Sequence, residues 1–205
     1  MATKGDFPMA QVKYEVHKAF YESPLGLLVM VSDGESLVRL DFVRDAEKAE
    51  SDLVVDAVFC GGCATEVNKE ADEANDVNYV NDVNYANDVV LAKTKQWLDD
   101  YFAGRRPDFA PPLKPQGTPF QELVWQLLLG IPYGATTTYG ELAQAVARRL
   151  GKERMSAQAV GQAVGHNPIA VIVPCHRVLG KNGQLTGYAG GLERKKALLA
   201  LEARI

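Results

Sequence analysis

Cys175 followed directly by His176 is the pair in this 205-residue chain best suited to covalent chemistry. The thiolate is the nucleophilic form of cysteine, and a neighbouring base or cation makes it accessible. The pair lies in Val173-Pro174-Cys175-His176-Arg177-Val178. The apolar run Ile169-Ala170-Val171-Ile172-Val173 just before it predicts a short buried strand. Pro174 fixes φ and lacks an amide hydrogen, so the strand should stop there. Cys175 would then sit at the tip of a rigid element. Taken alone, Cys-His reads rather as a buried structural cysteine beside a helix-capping histidine; the surrounding residues decide otherwise.

The elements that must hold this pair are legible from their caps. Thr118-Pro119-Phe120-Gln121 combines a Thr N-cap, Pro at the first helical position and Gln three residues after the cap. It predicts a helix to about Leu129 that buries Phe120, Val124, Trp125, Leu127 and Leu128 and stops at Gly130. Thr138-Tyr139-Gly140-Glu141 is a second capping box, opening a helix with Leu142, Ala143, Val146 and Leu150 on its apolar face. A basic connection with Arg148, Arg149, Lys152 and Arg154 follows. Ser156 caps a helix over 157–164 that Gly165 ends. Two short helices across a small turn read as helix-turn-helix. The second is built of small residues, among them Ala157, Ala159, Gly161 and Ala163. That composition suits close approach to a nucleic-acid backbone, and equally tight packing against neighbouring helices. A last helix over 192–201 is closed by Glu202.

Residues 12–43 read as an antiparallel meander. Ser23-Pro24-Leu25-Gly26 supplies one turn and Asp33-Gly34 another. Leu37-Val38-Arg39-Leu40-Asp41-Phe42-Val43 then alternates as a half-buried return strand. A six-residue repeat, Asn-Asp-Val-Asn-Tyr-Val and its variants from Asn75, marks an expanded surface loop within a low-complexity insertion near 44–90. Cys60-Gly61-Gly62-Cys63 lies in the same insertion. Without a second ligand pair it reads as incidental thiols, and no metal set is predicted. Residues 91–102 form an amphipathic helix with Leu91, Trp97, Leu98, Tyr101 and Phe102 apolar, and Gly104 is its stop. Pro111-Pro112-Leu113-Lys114-Pro115 reads as a stiff linker. The expected domains are 1–110, a supporting α/β unit, and 117–205, which carries the chemistry.

Charge separates the two halves. Residues 118–205 hold ten Lys/Arg and five Asp/Glu, a balance of +5, so the chain totals of 22 and 26 leave twelve and twenty-one, or −9, for 1–117. The C-terminal half is therefore the one to meet a polyanion. No apolar run reaches membrane-spanning length, and the N-terminus lacks a signal-peptide core. Three cysteines, an odd number, argue against a disulfide framework and for a reducing cytoplasm.

The motif around Cys175 resembles the O6-alkylguanine-DNA alkyltransferases. The resemblance rests on Pro174-Cys175-His176-Arg177-Val178, Gly165-His166-Asn167-Pro168 and Gly187-Tyr188-Ala189-Gly190-Gly191-Leu192, and extends back through Thr138-Tyr139-Gly140-Glu141-Leu142-Ala143 to Phe120-Gln121. It implies an α+β fold: a small antiparallel sheet with helices, ribonuclease H-like, joined to a helical winged helix-turn-helix domain. It implies direct-reversal DNA repair, an irreversible single-turnover transfer of the alkyl group from O6-methylguanine, and from O4-methylthymine, to Cys175. The partner would be double-stranded DNA with alkylated bases, bound by a monomer through the minor groove, with no cofactor.

The same resemblance assigns roles. Cys175 is the acceptor, His176 the base acting through water, Glu202 the residue that holds the imidazole, and Asn167 the brace of the turn before the site. Tyr139 would crowd the target phosphate and Tyr188 would wall the pocket. The Ala189 amide would donate to guanine O6, the carbonyls of Cys175 and Val178 would accept from the exocyclic amine, and Lys195 would help protonate or screen the site. Arg154, Ser156, Ala157, Gln158 and Gly161 would meet DNA. Gln158 departs from the family, which carries an arginine at this gap-filling place.

Three other readings compete: a lesion-binding protein without transfer, a cysteine hydrolase, and a winged-helix regulator. The presence of Cys175 weighs against the first. Against the second, adjacent side chains on an extended chain diverge. A regulator would prefer one operator over damaged DNA.

Overall fold

The computed structural model describes residues 16–43, 79–80 and 88–203, an α+β arrangement. Strands β1 (Val16–Ser23), β2 (Gly26–Ser32) and β3 (Leu37–Phe42) form the expected antiparallel meander, and β4 (Tyr79–Val80) adds to the outer edge of β1 in parallel. The first turn is closed by Ser23 Oγ donating to the Gly26 carbonyl at 2.6 Å, with Gly26 at φ 116°. In β3, Leu37 and Leu40 are both fully buried although they stand three positions apart, an odd offset. A register shift opposite Val31 and Ser32 reconciles this with strand alternation. The repeat upstream of Asn87, apart from the backbone at Tyr79–Val80, and the Cys60/Cys63 pair lie outside the described residues.

The free edge of β3 is covered twice, and both coverings bear on the site. The Leu37 amide donates to Pro112 O at 2.7 Å, and the Lys114 amide to Leu37 O at 2.9 Å. Farther along, the Leu40 amide donates to Pro168 O at 2.9 Å and the Ala170 amide to Leu40 O at 2.7 Å. The sheet is thereby stitched to the segment that leads into Cys175.

Helix α1 (Val89–Phe102) packs on the sheet. Its N-cap is Asp88, whose carboxylate accepts from the Val90 and Leu91 amides at 2.7 and 2.9 Å. Gly104, at φ 76°, follows its end as a left-handed stop. Helices α2 (Pro119–Leu129), α3 (Tyr139–Arg149) and α4 (Ala157–Gly165) pack on one another. Both predicted capping boxes form, and Ser156 caps α4. Trp125, 1% exposed, donates Nε1–H to the Ala163 carbonyl at 2.9 Å and locks α2 to α4. Strand β5 (Thr137–Thr138) pairs in parallel with β6 (Val178–Leu179), bringing the start of α3 beside the chain just after Cys175. Helix α5 (Leu192–Glu202) closes the fold. One apolar cluster, from Leu28 and Tyr101 to Val146 and Leu198, runs through both halves.

The 169–173 run is not the strand its composition predicts. It is buried throughout, but pairs with β3 only at the Leu40–Ile169 bridge. It then folds back on itself, the Val173 amide reaching Ile169 O at 3.0 Å, with Val171 at φ 69°. That is a strained conformation for a β-branched residue. Apolar composition predicts burial, and burial without regular pairing satisfies it. Cys175, His176 and Arg177 form one turn of 3-10 helix rather than a strand tip.

Candidate active site

The pocket encloses about 320 Å³. Its wall combines Gly161, Val164 and Gly165 of α4, Tyr139 at the start of α3, Asn167 and Ala170 of the turn, Cys175, and the loop from Gly187 to Gly190. The sheet contributes Asp41. The small residues of α4 thus serve the pocket as well as packing: a methyl group at Gly161 would lie 3.6 Å from the Tyr139 ring.

Cys175 is 7% exposed. Burial pushes its thiol up to about 11, against the pull of the Asn167 hydrogen bond and the Lys195 ammonium, with Asp41 adding to the rise. At neutral pH it is a protonated thiol in the resting pocket. Asn167 bonds across the turn: Nδ2–H donates to Val173 O at 2.8 Å and Ile169 O at 3.3 Å, while Oδ1 accepts from the Ile169 amide at 3.1 Å.

His176 is fully buried. Its Nε2 lies 2.8 Å from Glu202 Oε1, and its Nδ1 has no hydrogen-bond partner among the described residues. A carboxylate accepts only, so Nε2 carries the hydrogen and Nδ1 is left as a free acceptor. Burial lowers the imidazole pKa, which Glu202 only partly offsets. On a 3-10 turn successive side chains diverge by about 120°, so Cys175 and His176 leave the backbone in different directions.

Glu202 is the most heavily bonded group in the site. It accepts from His176 Nε2, from Tyr101 O–H at 2.8 Å, from Arg177 Nε and Nη2 at 2.8 and 2.9 Å, and from the Gly134 amide at 3.1 Å. Burial alone would raise its pKa, but the hydrogen bonds and charges of His176 and Arg177 outweigh that and hold it down to about 2. Arg177 also donates Nη1–H to Ile131 O at 2.7 Å and lies over the Tyr133 ring at 5.5 Å.

Lys195 is fully buried and donates from Nζ to Val178 O at 2.6 Å, Thr186 O at 2.8 Å and Gly187 O at 3.3 Å. Burial lowers its pKa and Cys175 raises it. Those three carbonyls tie the pocket loop to β6 through one ammonium. The Val178 carbonyl assigned to substrate is therefore engaged by Lys195, with one lone pair left. Tyr139 stacks 5.9 Å from the same ammonium. Tyr188 stands in the wall with a buried hydroxyl that has no partner among the described residues, and Ala189 is its neighbour there. Arg154, Ser156, Ala157 and Gln158 are exposed together at the start of α4, outside the pocket.

The sequence alone assigns no role in the site to Arg177, Tyr101, Gly134 or Asp41. Arg177 was recoverable as a charge flanked by residues predicted to be buried. The others come from distant segments and left no local signal.

Two family models match the chain, one over its sheet-bearing half and one over its helical half. The 6-O-methylguanine DNA methyltransferase ribonuclease-like domain matches residues 16–115, and the DNA binding domain of the same family matches 119–204. The methylated-DNA–protein-cysteine methyltransferase of Methanosarcina acetivorans is 38% identical over 187 residues, covering 91% of this chain and 98% of that protein. Its Haemophilus influenzae counterpart is 38% identical over 188 residues, 91% and 86% of the two chains. The crystal structure of Mycobacterium tuberculosis O6-methylguanine methyltransferase superposes with a TM-score of 0.66 at 36% identity, covering 92% of this chain and 93% of that one. The Mycobacterium tuberculosis OGT solved in complex with DNA gives 0.64 at 35% identity over 91% and 92%. The chain belongs to the 6-O-methylguanine DNA methyltransferase family.

Proposed function

We propose that this protein repairs DNA by direct reversal, moving the alkyl group of O6-methylguanine onto Cys175. The observation that carries this reading is a buried thiol in the wall of an open pocket, followed in the chain by a buried histidine whose imidazole is held by a carboxylate on one nitrogen and has no partner among the described residues on the other. An O6 substituent lies inside the duplex stack, so the nucleotide must be extruded to reach the pocket.

Once the base is seated, His176 Nδ1 takes the Cys175 proton through a water molecule while Glu202 holds the resulting imidazolium. The thiolate attacks the alkyl carbon. The S–C bond forms as the C–O6 bond breaks, and the electron pair leaves on the guanine, which regains a proton at N1. The Ala189 amide donates to the developing charge on O6, and the Cys175 and Val178 carbonyls accept from the exocyclic amine. Tyr188 walls the base, and Lys195 helps protonate or screen the site from beneath Tyr139. The product thioether is stable, so each molecule acts once, and O4-methylthymine is a second substrate.

The protein binds double-stranded DNA as a monomer, works in the cytoplasm, and lays α4 in the minor groove. That groove carries little sequence information and so suits a scanner. Arg154, Ser156, Ala157, Gln158 and Gly161 form that contact, and Gln158 fills the gap left by the extruded base. The supporting unit is 1–110 and the acceptor unit 117–205. No helix among the described residues is long and apolar enough to cross a membrane.

The test is mass spectrometry of intact protein and peptides after mixing with duplex DNA carrying one O6-methylguanine. A stoichiometric gain of one methyl group on Cys175, lost in Cys175→Ala, is expected. DNA bound without any gain would replace transfer with lesion binding.

A further inference from the structure

On the pocket loop, Tyr188 and Ala189 stand between carbonyls held by two consecutive cations of α5. Lys195 takes the Thr186 and Gly187 carbonyls on one side. On the other, Arg194 donates Nη1–H to the Gly190 carbonyl at 3.0 Å. Arg194 also reaches out of the loop. Its Nε–H donates to the Leu25 carbonyl at 2.8 Å, in the turn between β1 and β2 and 169 positions away in the chain. Its guanidinium carbon lies 4.7 Å from the centre of the Phe42 ring, at the end of β3. A methyl group on Gly26 would come within 2.9 Å of Nη2, so the turn backbone packs directly on the guanidinium. Both hydrogen-bond partners are neutral carbonyls, and the side chain is half-buried. An ionised donor bonds a carbonyl more strongly than a neutral one, and the planar fork holds two acceptors in one geometry.

We propose that Arg194 is a positioning residue for alkyl transfer: it hangs the Gly190 end of the pocket loop on the N-terminal sheet and so holds Tyr188 and the Ala189 amide where the base must sit. Arg194 does not line the pocket itself, so it acts through the loop. The loop needs such an anchor. Gly187, Gly190 and Gly191 bring no Cβ to restrict the backbone, and Gly187 and Gly191 stand at φ 45° and 91°. Without Arg194 the corner keeps the Gly191 amide bond to Tyr188 O at 3.0 Å, which is internal to the loop, and loses the guanidinium tie to the sheet. The sheet-bearing half thereby contributes to the rate of transfer as well as to stability.

The proposal rests on the alkyl-transfer reading, and the experiment separates the two. Single-turnover transfer from duplex DNA carrying O6-methylguanine is followed with DNA in excess, over a range of DNA concentrations, for wild type, Arg194→Ala and Arg194→Lys. A rate constant read this way is independent of the fraction of active protein. In Arg194→Ala the rate constant at saturating DNA should fall on the order of tenfold, as expected of a sub-ångström misplacement. The half-saturating DNA concentration should not change, because α4 and the basic connection are untouched. In ¹⁵N spectra the amide signals of Ala189 and Gly191 should move while those of Val160 and Ala163 in α4 stay. Arg194→Lys keeps the charge and loses the planar fork, so it should show the same changes to a smaller degree; it decides the matter if Arg194→Ala does not fold. An unchanged saturating rate constant overturns the positioning role. A loss seen only as a higher half-saturating concentration also overturns it, because Arg194 would then serve DNA binding. So does a slower rate with unmoved loop amides. A wild type that transfers no methyl group overturns the alkyl-transfer reading and this one with it.

Discussion

Replacing Arg177 with Leu tests whether the knot around Glu202 holds the site together. The substitution keeps an apolar body and removes three donors, two to Glu202 and one to Ile131 O. Glu202 is 2% exposed, so water cannot take their place. Removing one partner of a buried ion pair costs about 3–5 kcal/mol, because the other charge stays behind. At about 2–4 °C per kcal/mol for a chain of this size, the melting temperature should fall by roughly 6–20 °C.

The pH dependence distinguishes this cause from lost packing. Glu202 has its folded pKa depressed from 4.5 to about 2, so its contribution is present above the unfolded value and lost as pH falls from 4.5 towards 2. That gap corresponds to roughly 3 kcal/mol. In Arg177→Leu the folded pKa moves back towards 4.5 and the acid-sensitive contribution shrinks. The stability gap between wild type and variant should therefore narrow as pH drops through that window. Urea denaturation at pH 7, 4.5 and 3 reads both effects. A loss under about 1 kcal/mol at pH 7, or a gap that is constant across the window, would refute the argument.

Other expectations follow from single contacts. Tyr101→Phe removes one donor from Glu202 Oε1 and should cost about 1–2 kcal/mol in denaturation, while slowing methyl transfer from the far side of the fold. Asn167→Ala strips the Ile169 amide of its acceptor and the Val173 carbonyl of one of its two donors; stability should fall by about 2 kcal/mol and single-turnover transfer should slow. The Cys175 thiol is raised from 9.0 to about 11 on folding, so its contribution is present below 9 and lost as pH rises to 11. Between pH 8.5 and 10.5, wild type should lose roughly 2 kcal/mol in denaturation that Cys175→Ser keeps. Thr138→Ala breaks the α3 capping box and should cost about 1 kcal/mol in a thermal melt.

What the sequence made legible was local. The caps at Thr118, Thr138 and Ser156, the stop at Gly104 and the turns of the meander need only neighbouring residues, and each formed. Glu202 drew attention through family resemblance, since a carboxylate near the end of a helix otherwise looks like surface. Its burial depends on Tyr101, 101 residues away, and on Arg177 folding back over Tyr133. The 169–173 run was misread because five apolar residues predict burial and say nothing of the turn Asn167 imposes. Asp41 was seen as the polar half of an alternating strand, and only the pairing of β3 with Ala170 turns it towards the pocket.

The stitch between Leu40 and Ile169 also bears on how the molecule matures. It joins residues 169 − 40 = 129 positions apart, and contacts of such long range form late, after the loop entropy of everything between has been overcome. In the unfolded chain the Cys175 thiol lacks the burial that raises it from the ordinary 9.0 to about 11 in the folded protein. At neutral pH that makes the thiolate about a hundredfold more abundant in the unfinished chain than in the finished one. Newly made protein is thus the form most exposed to peroxides and stray electrophiles, and completing the fold quenches the sulfur until a flipped base arrives. The pairing of Leu40 with the 168–170 segment is part of the fold that completes that burial.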